Sequence, residues 1–115
     1  MKMNYLAIPG LTTRQSKWTF ETIYKEVSDY YGVHFNRRTK RTRTIVNARC
    51  ACTYILRMHT KLSTNEIGRL LGDYDHSTVI HWTATAHDII RFDDIFKEDI
   101  ENIINNIKLN HAHRH

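Results

Sequence analysis

The sequence predicts an all-α fold, a small helical bundle. Apolar residues recur at three- and four-residue steps in several stretches, which is the period of a helix with one buried side. No stretch alternates apolar and polar residues over a useful strand length. One Pro and four Gly in 115 residues argue against a linker-rich or disordered chain. The length fits one domain, with 41% hydrophobic residues to build its core.

Residues 1–16 show no period. Pro9-Gly10 reads as a turn and Thr12 to Ser16 as a polar connector, so this segment is an arm, ordered or not. The domain proper is expected over residues 17–109. Its first helix should run from Lys17 to Tyr31, with Phe20, Ile23, Val27 and Tyr30 as the apolar stripe, Ser16 as N-cap and Gly32 as stop. Val33 and Phe35 then pack as a short extended or single-turn piece before a basic loop, Asn36 to Thr44. A second helix is expected from Ile45 to Met58, burying Ala48, Ala51 or Cys52, Ile55 and Leu56. Its small residues would let another helix approach closely. Cys50 and Cys52 lie two apart, on different sides of a helix, and two thiols do not make a zinc site. They read as small, reduced packing residues.

Ser63-Thr64-Asn65-Glu66 is a capping box, in which the Ser hydroxyl caps the third amide and the Glu reaches back to the cap amide. It opens a short helix, Thr64 to Leu71, with Ile67, Leu70 and Leu71 inward. Gly72-Asp73-Tyr74 is a turn, with Gly72 expected in the left-handed conformation. Asp75 should cap the next helix, His76 to Arg91, whose inner stripe is Val79, Trp82 or Thr83, Ala86 and Ile90. A last helix, Asp94 to Leu109, carries Ile100, Ile103, Ile104 and Ile107 on one side. Residues 110–115 are expected to be a disordered His-rich tail without a structured metal site.

The net charge is +5, and its distribution says more than its total. From Tyr30 to Asn65 there is no Asp or Glu, while Arg37, Arg38, Lys40, Arg41, Arg43, Arg49, Arg57 and Lys61 all fall there. Asp88 to Glu101 holds six acids against Arg91 and Lys97. A one-sided basic field attracts a polyanion, and phosphate neutralisation drives nucleic-acid binding. No run approaches the roughly 18 apolar residues of a membrane span, and the start has no secretory signal. The expected compartment is the cytosol, and no membrane partner is expected.

Ser63 to Ile90 forms two helices joined by a tight glycine turn, the layout of a helix-turn-helix. In that motif the N-terminal residues of the second helix meet base edges in the major groove of duplex DNA. His76 can donate to a base or phosphate, and Ser77 and Thr78 carry short hydroxyls, with a Thr methyl suited to a thymine methyl. His81 either faces the core or contacts phosphate. Trp18 and Trp82 read as core rather than as base-stacking platforms.

Asp75-His76-Ser77-Thr78-Val79-Ile80-His81 resembles the Asp-His-Ser/Thr-Thr-Val-x-His signature of the origin-binding C-terminal domain of the bacterial replication initiator DnaA. Glu66-Ile67-Gly68 matches that family's Glu-Ile-Gly, and Ala48-Arg49 through Tyr54-Ile55-Leu56 resembles its Pro-Arg-Gln-x-Ala-Met-Tyr-Leu helix. Lys40-Arg41-Thr42-Arg43 falls where the family has its basic loop, and Ile23 to Tyr31 resembles its opening helix. The likeness covers about residues 20 to 90. It implies a Trp-repressor-like helical fold that reads a short asymmetric A/T-rich box as a monomer. It further implies that Arg41 enters the minor groove and that Arg49 contacts DNA. Asp75, His76, Ser77 and Thr78 would read bases and phosphates, Thr64 and Asn65 would touch thymine methyls and backbone, and Arg57 would face phosphate.

The departures bear on the target sequence. Ala48 and Cys50 stand for the family's Pro and Gln, Asn65 for a frequent Pro, and Gly72-Asp73-Tyr74 for Gly-Gly-Arg. No Gly-x-x-x-x-Gly-Lys-Ser/Thr phosphate loop is present, so no ATPase domain, nucleotide or other cofactor is expected in this chain. No paired carboxylates or nucleophile motif suggests an enzyme. His76 and His81 are wrongly spaced for two metal ligands on one helical face. Met1 and the unfamiliar arm point to a stand-alone chain, phage-encoded or a regulator, more than to an initiator fragment. The alternative function is a protein-interaction or architectural module, with a replication protein as partner and only non-specific DNA binding. RNA binding is weaker, because no aromatic pair is interleaved with the basic loop.

Overall fold

The structure is a computed structural model and describes residues 18–36 and 41–112. Its five helices are α1 (Phe20–Tyr31), α2 (Arg43–His59), α3 (Thr64–Gly72), α4 (His76–Phe92) and α5 (Asp94–Ala112). No strand occurs among the described residues, so the chain is all-α as its periodicity predicts. The arm up to Ser16, Arg37 to Lys40, and His113 to His115 lie outside the described residues.

Helix α2 is the centre of the bundle and touches all four others. Its sequence explains why. Ala48, Cys50, Ala51, Cys52, Ile55 and Leu56 are all fully buried, so the helix is apolar on nearly every side and must be surrounded. Both cysteines are free. Burial pushes the Cys50 thiol up to about 11 against the pull of the Arg41 and Arg49 charges. Burial alone raises Cys52 further. Since the thiolate is the reactive form, native protein at pH 8 is expected to resist iodoacetamide at both positions. Urea-unfolded protein should label at both, read by mass spectrometry. Rapid native labelling of either would mean that α2 is not held closed.

The other helices add one stripe each. Ile23 and Val27 of α1, Val79 and Ala86 of α4, and Phe96, Ile100, Ile103 and Ile107 of α5 are buried, with Trp18, Tyr30, Trp82, Ile90 and Ile104 packed half-exposed against them. Phe35 closes the core between α1 and α2, its backbone gripped by Tyr24, whose hydroxyl donates to the Phe35 carbonyl (2.9 Å) and accepts from its amide (3.2 Å). Polar ties fix α5 on α1. The hydroxyls of Tyr30 and Tyr31 donate to the Asp99 carboxylate at 2.8 and 3.0 Å, and Asn110 donates to Glu26 at 2.7 Å.

Several local expectations are corrected. Helix α1 starts at Phe20 rather than Lys17, because the Thr19 hydroxyl accepts from the Thr22 amide and takes the N-cap role expected of Ser16. Gly32 stops it in the left-handed conformation, as expected (φ 68°). Helix α2 begins at Arg43, two residues early, because Thr42 caps it. Asp73 (φ 61°), not Gly72, holds the left-handed position after α3, while Gly72 sits at φ 137°, a conformation that suits glycine alone. Leu70 is 45% exposed rather than inward. It lines an open groove of about 500 Å3 with Trp18, Phe20 and Leu62, on a side of α3 that α1 approaches without covering. Helix α5 runs to Ala112, past the expected end at Leu109.

Candidate nucleic-acid interface

Helices α3 and α4 pack through a turn whose tightness has one cause. A Cβ on Gly68 would run into the carbonyl oxygen of Tyr74. The Tyr74 amide donates to the Gly68 carbonyl at 2.9 Å, so the turn folds back directly onto the bare backbone of α3. The capping box at the start of α3 is complete. Ser63 Oγ accepts from the Glu66 amide, and Glu66 Oε1 accepts from the Ser63 amide at 2.8 Å. Those two bonds hold the Glu66 carboxyl below its usual range. With α3 fixed at both ends, the start of α4 has one position.

Asp75, His76 and Ser77 are exposed there, and Thr78 is half-buried. Asp75 is the N-cap of α4 as expected, but its carboxylate makes no capping hydrogen bond and instead accepts from the Ser77 hydroxyl. That bond holds the Asp75 carboxyl below its usual range, with His76 adding to it. His76 Nδ1 lies 3.6 Å from the other Asp75 oxygen. The three side chains thus form one connected polar cluster at a helix N-terminus. Thr64 (half-exposed) and Asn65 (exposed) stand in the first turn of α3. His81 is exposed on α4, which removes the core alternative. Arg57 is exposed on α2, with Nη1 reaching Thr83 of α4 at 3.4 Å.

The basic residues divide. Arg41 is exposed beside the α2 N-cap, and Lys40 lies outside the described residues. Arg43 is exposed but lines a groove with Asp88, Phe92 and Asp93. That is the far end of α4 from His76, about 24 Å away at 1.5 Å per residue. The structure does not bring Arg43 to the polar cluster. Nor does it leave Arg49 facing outward. Arg49 is 9% exposed, its Nη2 donates to the Asn36 carbonyl at 2.6 Å, and its guanidinium faces the rings of Tyr74 (5.9 Å) and Trp82 (5.8 Å). In this structure the guanidinium of Arg49, for which the resemblance implies a DNA contact, is turned to the Asn36 carbonyl and these two rings. Tyr74, Trp82 and Gly68 were not among the expected functional residues. The signal for Tyr74 was its place in the turn where the resembling family carries Arg.

Comparison with known proteins fits this geometry. A family model described as the bacterial dnaA protein helix-turn-helix matches residues 20–85, which takes in α1, α2, α3 and the first half of α4. The chain belongs to that family. Chromosomal replication initiator protein DnaA of Oenococcus oeni is 39% identical over 98 residues, 84% of this chain and 22% of that protein. The DnaA of Herpetosiphon aurantiacus is 36% identical over 80% of the chain, and that of Streptococcus mutans 40% identical over 76%, each match covering 20% of the relative. The chain thus spans about a fifth of the length of these DnaA proteins. No solved structure matches it. The match falls on the helix-turn-helix part of DnaA, so this chain carries a DNA-binding helix-turn-helix module.

Proposed function

We infer that the chain reads a short A/T-rich box in duplex DNA, with the start of α4 in the major groove and the loop around Arg41 in the minor groove, in initiation of replication or its control. The observation that carries this is the exposed Asp75–His76–Ser77 cluster at the start of a helix whose position is fixed by the Gly68 turn. Asp75 keeps an acceptor for a cytosine amino group, His76 offers a donor, and the Thr78 methyl suits thymine. Lys40, Arg41 and Arg57 add phosphate or minor-groove contacts, and Thr64, Asn65 and His81 extend the surface along α3 and α4. A monomer suffices for an asymmetric site, and the bacterial nucleoid is the place of action.

The test is fluorescence anisotropy with a box-bearing duplex and a shuffled duplex at two salt concentrations. Each mismatch in a specific site costs about 1–3 kcal/mol, so the two duplexes should separate by orders of magnitude at the higher salt. Equal affinities that fade steeply with salt would reduce the function to phosphate binding.

A second reading, recruitment of a replication protein, is favoured by one feature. Phe92 (82% exposed) and Ile95 (72%) project from the α4–α5 corner among Asp88, Asp94 and Glu98. This corner is at the end of α4 remote from the polar cluster, beside Arg43 at the start of α2.

A further inference from the structure

We propose that Arg49 is a positioning residue that ties the basic loop to the recognition turn and so sets the spacing between the minor-groove and major-groove contacts. The proposal rests on the two-groove reading above and assigns Arg49 a role other than touching DNA. One guanidinium meets three separate parts of the chain. Its Nη2 donates to the carbonyl of Asn36, the first residue of the loop. Its Cζ lies over the ring of Tyr74, in the turn between α3 and α4, and over that of Trp82 within α4. Those two rings meet edge to face at 4.7 Å, so they form one surface.

The described residues at the two ends of the loop are also held to α1 and α2. Tyr24 of α1 grips Phe35, and Thr42 caps α2. Arg49 adds a link from Asn36 to the turn and helix that carry Asp75 and His76. The chemistry is specific to arginine. A guanidinium can donate in its plane to a carbonyl while its faces lie against aromatic rings, whereas an ammonium is a point charge and cannot do both. Burial of an unpaired cation is costly. Among the described residues no carboxylate forms an ion pair with Arg49, so the carbonyl and the rings supply its compensation.

The test uses Arg49→Met, which keeps the stem, and Arg49→Lys, which keeps the charge. With the wild type shown to prefer the box, Arg49→Met should lose at least about tenfold in box affinity, the size of one lost base contact. Affinity for the shuffled duplex and the salt slope should hold. A lost phosphate contact would instead lower that slope by about 1. Arg49→Lys should not restore discrimination. A lowered slope with discrimination intact, or full rescue by Lys, would overturn the proposal. Should Arg49→Met fail to fold, Tyr74→Leu removes one ring without changing charge and should give the same loss at constant slope. A readout without DNA separates this idea from the box reading. Arg49→Met should shift the amide resonances of Asn36 and Arg41 together with those of Tyr74 and Asp75. Shifts confined to one of those two sides would show that no tie exists, whatever the DNA does.

Discussion

Gly68→Ala is expected to destabilise the protein by about 2 kcal/mol and to lower its melting temperature by roughly 8–16 °C, using the scaling for domains of about this size. Two effects oppose each other. Gly68 lies inside α3, where alanine is about 1 kcal/mol better than glycine by intrinsic propensity. Left unopposed, the change would stabilise. The added methyl, however, meets the Tyr74 carbonyl oxygen, which is backbone and cannot swing aside. Overpacking of that kind costs about 1–3 kcal/mol and occasionally more, and a rigid opponent puts this site at or above the top of the range. The Tyr74 amide bond to the Gly68 carbonyl is lost or lengthened at the same time. Circular-dichroism melting checks the prediction. A melting temperature equal to or above wild type would mean that the turn relaxes freely, and that the close approach is not what positions α4.

That glycine shows how far the sequence could be read. Periodicity located all five helices, because each buries a stripe at helical spacing against α2. The short α3, with a single helical repeat to judge from, misplaced Leu70, which faces an open groove. Caps were legible where a side chain bonds locally, as at Ser63, and misjudged where two candidates compete over short range. Thr19 took the place expected of Ser16, and Asp73 took the left-handed turn expected of Gly72. Asp75 was readable as the residue before a helix but not as the partner of the Ser77 hydroxyl. Within the candidate site, exposure of His76 and Ser77 follows from their place at a helix start. The direction of Arg49 does not, since it depends on Asn36, Tyr74 and Trp82, which lie 13, 25 and 33 positions away (49 − 36, 74 − 49 and 82 − 49). Contacts at that sequence distance leave no trace in local spacing. A motif match is silent about them too, because it records which residue occupies a place and not which way the side chain turns.

The inward turn of Arg49 changes what the remaining basic residues must do. With that cation committed to the fold and Arg43 placed toward the far end of α4, the charge available beside the polar cluster is smaller than the run from Arg37 to Arg49 suggests. On the proposed reading, specificity then falls more heavily on the cluster itself and on Arg41.

The double replacement Arg41→Ala with His76→Ala is therefore expected to lower affinity for a box-bearing duplex by at least about 30-fold, since each base-directed contact is worth about 1–3 kcal/mol. The single variants should divide that loss informatively. On the proposed reading His76 contacts a base edge from α4, so His76→Ala should reduce box affinity and leave the shuffled duplex nearly unchanged. Arg41→Ala removes a fixed charge, so it should weaken both duplexes and lower the salt slope by about 1, with the larger loss on the box. Because Arg41 and His76 stand on different elements, their contributions should add to within about 0.5 kcal/mol. Anisotropy titrations of the four proteins at two salt concentrations measure all of this at once. A double variant no weaker than wild type would remove both groove contacts from the account. Equal losses on box and shuffled duplexes would leave Arg41 as a phosphate contact only, and would shift sequence reading to the other residues at the start of α4 or away from this surface altogether.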